Sequence, residues 1–144
     1  MSVDVQRAID DFWAARTRGE FFPLAYFDRL TLDDAYRIQL GIIDKRLAVG
    51  EQQIGWKVGL TAKVIQEQFG FHEPLFGCVL EAKQTGHIFK ASELIKPGFE
   101  TELCMRLGRG LAGKVSLEEV RDAVDVIYPS FEIIETREIG RAHV

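Results

Sequence analysis

The stretch "KPGFETELCMRLGRGL" constrains this chain most, because its side chains alternate in character with the period of a β-strand. Phe99, Leu103, Met105 and Leu107 occupy one parity, and Glu100 and Glu102 stand side by side on the other. The pattern predicts a strand that buries its apolar face and presents two carboxylates on the opposite one. Two like charges that close repel unless a cation, a shared proton or bulk water relieves them. Oxygen-only carboxylate sets suit Mg²⁺, Mn²⁺ or Ca²⁺, so the pair reads either as part of a hard-cation site or as an ordinary solvated strand face.

With 144 residues, of which 47% are hydrophobic, the length allows one domain of globular composition. No apolar run reaches the length of a membrane helix, and "MSVDVQRAIDDFW" carries acids where a secretory leader carries a basic and then an apolar stretch. The expectation is a cytoplasmic protein without membrane contact. Net charge is −4 with the basic residues scattered among acids, which argues against a nucleic-acid footprint and favours small molecules or proteins as partners. Cys78 and Cys104 form no C-x-x-C and are expected as reduced core thiols.

Residues 3–18 place Val5, Ile9, Phe12 and Trp13 at helical spacing. Thr31 with Asp34 reads as a capping box for a second helix, in which Tyr36, Leu40, Ile43 and Leu47 recur until Gly50 stops it. From Ile54 the texture changes to short β-rich pieces, "IGWKVGL", "LFGCVLE", "GHIFK" and "FETELCMRLG". Ser116 with Glu119 caps a helix expected over "LEEVRDAVDVI", and "YPSFEIIETR" reads as a further strand. The fold class is therefore α+β, with a helical region at 1–50 leading into a mixed β domain at 51–137.

Two more residues invite a functional reading. Gly55 and Gly59 flank Lys57 in "GWKVGLT", so Lys57 is either a charge aimed into a site or a surface lysine on an edge strand. Glu132 sits among Phe131, Ile133 and Ile134, where an unpaired carboxylate is costly and a metal or a basic partner would offset the cost.

Taken in order, "GWKVGLT", Phe76-Gly77, Glu100-x-Glu102 followed by "LGRGL", and "YPSFEIIETR" resemble the 2-keto-4-pentenoate hydratase branch of the fumarylacetoacetate hydrolase superfamily, over about residues 30–137. The resemblance implies a divalent metal, Mg²⁺ or Mn²⁺, held by Glu100, Glu102 and Glu132, with Lys57 matching the active-site lysine. It also implies a β domain of the fumarylacetoacetate hydrolase C-terminal-domain type. The implied substrate is a small 2-oxo acid, and the implied reaction is hydration of 2-hydroxypenta-2,4-dienoate to 4-hydroxy-2-oxopentanoate in the catabolism of aromatic compounds. Glu81 and His72 are the candidates for proton transfer, and a homo-oligomer, with or without a partner enzyme, is expected.

At Leu75 the chain departs from the hydratase pattern, which has an acidic residue before the aromatic-glycine pair. An apolar residue there is more like the 4-oxalocrotonate decarboxylase relatives, and a C–C bond hydrolase of the wider superfamily would use the same metal. From another class, a non-catalytic small-molecule-binding or assembly module would keep the fold without the chemistry. Convergence of Glu100, Glu102 and Glu132 on one point separates the two classes. The family pattern continues beyond Glu132 whereas this sequence ends twelve residues later, so the chain reads as an N-terminal fragment, inactive alone. Residues 138–144, "EIGRAHV", do not continue the resemblance, look like a translated sequencing adapter and are expected to be a non-native tail.

Overall fold

The computed structural model describes residues 3–80 and 86–135. These divide into two units, one up to Phe89 and the other beginning at Lys90. The architecture is α+β, with helices and small antiparallel sheets.

The first unit opens with two helices, α1 (Val5–Thr17) and α2 (Leu32–Ala48). The Asp4 side chain caps α1 by accepting from the Arg7 backbone N–H at 3.0 Å. Thr31 and Asp34 form the expected capping box on α2: the Asp34 N–H donates to Thr31 Oγ1 at 3.1 Å and the Thr31 N–H to Asp34 Oδ2 at 3.2 Å. Acidic residues in the first turn of α2 and Lys45 and Arg46 in its last complement the helix dipole. The helix stops at Val49, and Gly50 follows at φ +97°.

The two helices pack through Ala8, Ile9 and Ile38, with Val5, Phe12, Tyr26, Leu30 and Ile42 around them. Gly41 makes the contact close, since a Cβ at this position would run into the Ile9 side chain. Phe12 stacks at a tilt on Phe22 and Tyr26, with centroids 4.8 and 5.4 Å away. The Tyr26 hydroxyl donates to Asp11 at 2.6 Å, and Lys45 reaches Asp10 at 2.9 Å.

The same unit contains an antiparallel hairpin of β1 (Gly55–Gly59) and β2 (Leu75–Val79), in which Lys57 pairs with Gly77. Between its strands lies α3 (Lys63–Phe69), a helix that the pattern reading passes over. Its sequence signal is Gly70 at φ +74°, which closes a Schellman motif: Phe71 N–H donates to Gln66 at 2.8 Å and Gly70 N–H to Glu67 at 3.2 Å. The buried Gln66 side chain donates to the Leu60 carbonyl at 2.7 Å. "GHIFK" is not a strand: Gly86 lies in a turn and residues 87–90 have no ladder partners.

In the second unit β3 (Pro97–Leu107) pairs antiparallel with β4 (Val124–Glu135). Ser116 and Glu119 cap α4 (Leu117–Ala123) as expected, but the helix ends at Ala123, short of the predicted span. The remaining "VDVI" joins β4, because its β-branched residues suit a ladder with β3, and Gly108 N–H donates to the Ala123 carbonyl at 2.8 Å at the junction. Arg106 holds Asp125 at 2.9 Å across the strands.

The apolar face expected to be buried on β3 is exposed. Phe99 is 71% and Leu103 68% accessible, and Phe131 on β4 is 68% accessible beside them. Cys104 is exposed rather than a core thiol, while Cys78 is half-buried, and both are free.

Candidate metal centre

Backbone register assembles the carboxylate group. Glu100 pairs directly with Glu132, and Glu102 pairs with Ser130, so all three glutamates lie on one face of the β3–β4 ribbon. One carboxylate oxygen from each lies within 4.8 Å of the others. Glu100 and Glu102 are exposed and Glu132 is half-buried.

Residues directly opposite in an antiparallel pair have Cβ atoms about 5 Å apart, and like charges in that position destabilise the ladder. The donor set therefore fits a hard divalent cation: it is oxygen-only, and the positive charge would relieve a repulsion built into the register. Cys104, Ser130 and Tyr128 share the carboxylate face by the same register, which sequence parity alone leaves invisible for β4.

Lys57 is half-buried in the middle of β1. Its surroundings differ from the sequence expectation, because Cβ atoms built on Gly55 and Gly59 would meet nothing within 4 Å. The close approach is instead at Gly77 across the hairpin, where a Cβ would stand 3.2 Å from Lys57 Cγ. Beside it, Phe76 N–H donates to the Tyr36 hydroxyl at 3.1 Å, tying β2 to α2. Leu75 and Phe76 line a small pocket of about 110 Å³ with Leu32, Ala35, Tyr36 and Gln39. His72 is exposed in the loop between α3 and β2, and Glu81 lies outside the described residues, as does 138–144. Among the described residues no helix is long and apolar enough to cross a membrane.

No family model matches the chain. It is 37% identical over 112 residues to a 2-hydroxypent-2,4-dienoate hydratase of Pseudomonas putida, a match covering 75% of this chain and 50% of the relative. A 2-keto-4-pentenoate hydratase of Paraburkholderia xenovorans is 36% identical over 77% of this chain and 42% of its own length. Among solved structures, a 4-oxalocrotonate decarboxylase of Pseudomonas putida complexed with magnesium and adipate superposes with a TM-score of 0.83 at 26% identity, covering 94% of this chain and 54% of that one. A second structure of that decarboxylase, complexed with calcium and acetate, gives 0.82 at 27%. The chain spans about half the length of the curated relatives it matches. Over about three quarters of its length it is a homologue of the 2-keto-4-pentenoate hydratases, and it shares its fold with 4-oxalocrotonate decarboxylase.

Proposed function

We propose that the chain carries the cation site of a divalent-metal-dependent 2-keto-4-pentenoate hydratase, which adds water to 2-hydroxypenta-2,4-dienoate to give 4-hydroxy-2-oxopentanoate. The convergence of Glu100, Glu102 and Glu132 carries this reading. Relatives named as hydratases of such dienoates, and a structural neighbour complexed with magnesium, support it. In this reading the three glutamates hold Mg²⁺ or Mn²⁺. A divalent cation there supplies positive charge against the negative charge that develops on a 2-oxo oxygen. Lys57 contributes a second positive charge, and His72 and Glu81 are the residues assigned to proton transfer.

Residues 51–137 would then be the N-terminal part of a catalytic β domain of the fumarylacetoacetate hydrolase type, following the helical region at 1–50. The activity is assigned to a protein of the relatives' length, acting in the cytoplasm on aromatic breakdown products. Homo-oligomerisation belongs to the same reading.

Leu75 favours a second reading, 4-oxalocrotonate decarboxylation, because an apolar side chain lines the pocket where the hydratase pattern has an acid. Both are tested on the full product of the gene by following loss of the dienoate absorbance with Mg²⁺, and CO₂ release from 4-oxalocrotonate, in wild type and Glu102→Gln. Metal-dependent dienoate turnover that the substitution abolishes is the expected result. Release of CO₂ alone moves the assignment to the decarboxylase, and inactivity on both substrates supports a binding module.

A further inference from the structure

We propose that Gly77 and Gln39 are positioning residues that seat the stem of Lys57. The proposal deepens the reading in which Lys57 supplies a positive charge to the site and rests on it. Lys57 and Gly77 are directly opposed in the hairpin. A Cβ at Gly77 would stand 3.2 Å from Lys57 Cγ, 3.6 Å from Lys57 Cδ and 3.8 Å from Gln39 Nε2. The lysine's aliphatic stem thus lies against the space a side chain at 77 would take, and the Gln39 amide borders the same space. Contact at 3.2 Å is tighter than carbon atoms prefer, so an alanine at 77 must push the stem aside.

Long lysine side chains exposed to water sample many rotamers, at an entropic cost of up to about 2 kcal/mol when held in one. A glycine opposite Lys57 and an amide bordering the space above that glycine narrow the choice and thereby set where the ammonium can reach. Strand β2 is itself fixed at this point, since Phe76, the neighbour of Gly77, donates its N–H to Tyr36 of α2, one helical turn before Gln39. The seat is therefore built from β1, β2 and α2 together. Gly55 provides an internal control, because a Cβ there meets nothing within 4 Å.

The test is made on the 144-residue chain by reductive ¹³C-methylation of its lysines, with the Lys57 signal assigned through Lys57→Arg. In Gly77→Ala the Lys57 signal should move by more than its linewidth. Gly55→Ala should leave it unchanged, and the signal of Lys45, held by Asp10 in the helical pair, reports that the unit is folded. Should Gly77→Ala fail to fold, Gln39→Ala removes the amide that borders the same space, and the Lys57 signal should then move toward the position of an exposed lysine. A Lys57 signal that superposes on wild type in every folded variant overturns the proposal. Turnover by Lys57→Met in the full gene product tests the charge assigned to Lys57 separately, so failure of that reading and failure of the seat are distinguishable.

Discussion

The helical pair and the β3–β4 ribbon use their apolar residues in opposite ways. In α1 and α2 the apolar stripes face each other, with Ala8 at 0% and Ile38 at 3% accessibility. In the ribbon Phe99, Leu103, Ile127 and Phe131 stay exposed, and the other face gathers three carboxylates. Two strands alone are marginally stable in water, and like charges in register weaken them further. The contrast puts packing and the candidate metal site in different places: the helices bury apolar residues against each other, whereas the ribbon brings three carboxylates together.

Side-chain truncation sharpens the contrast most. Ile9→Ala should cost about 2–5 kcal/mol, because it empties a packed core position, whereas Leu103→Ala on the exposed ribbon face should fall within about 0.5 kcal/mol. Urea denaturation of the two variants checks this, and equal losses would break the comparison. A smaller loss is expected from Gly41→Ala. Helix propensity favours alanine by up to about 1 kcal/mol, but crowding against Ile9 costs about 1–3 kcal/mol, so the thermal midpoint should drop.

Removing charge from the ribbon should have the opposite sign. Without divalent metal, Glu100→Gln relieves its repulsion with Glu132 and should stabilise the ladder by about 0.2–1 kcal/mol. Slower amide hydrogen exchange across residues 99–105 would show it, and faster exchange would mean that the carboxylates are already neutralised by other groups.

The smallest effect concerns acid. The hydroxyl of Thr31 and then its backbone N–H hold the Asp34 carboxyl below its ordinary value, and the backbone N–H and then the hydroxyl of Ser116 do the same for Glu119. Both pKa values fall on folding, so this stability is present above the unfolded carboxyl values, about pH 4, and is lost as pH drops through the lower folded values. Helical ellipticity should therefore decline below about pH 4, less steeply in Thr31→Ala, and identical profiles would remove the capping boxes from the account.

What the sequence makes legible follows the range of the interaction. Thr31–Asp34 and Ser116–Glu119 are contacts over three residues, and both capping boxes stand as read. The adjacency of Glu100 and Glu102 is equally local, because it needs only strand parity. The pairing of Glu100 with Glu132 is not, since register is set between segments far apart in the chain: Glu132 stands out by its apolar neighbours, and only family resemblance groups it with Glu100. The end of α4 is misjudged because "AVDVI" satisfies helical spacing and strand alternation alike, and pairing with β3 decides between them. The contact of Gly77 with Lys57 escapes notice for a related reason: the two lie twenty residues apart across a hairpin that contains a helix.

The central claim, that three carboxylates on one face of the ribbon hold one divalent cation, is tested most directly by titrating Mn²⁺ into the 144-residue chain and following free Mn²⁺ by electron paramagnetic resonance. A single site per chain is predicted, weakened strongly by Glu100→Gln, Glu102→Gln or Glu132→Gln, and unaffected by Glu118→Gln in the first turn of α4. Equal Mn²⁺ binding by wild type and all three site variants would contradict the account.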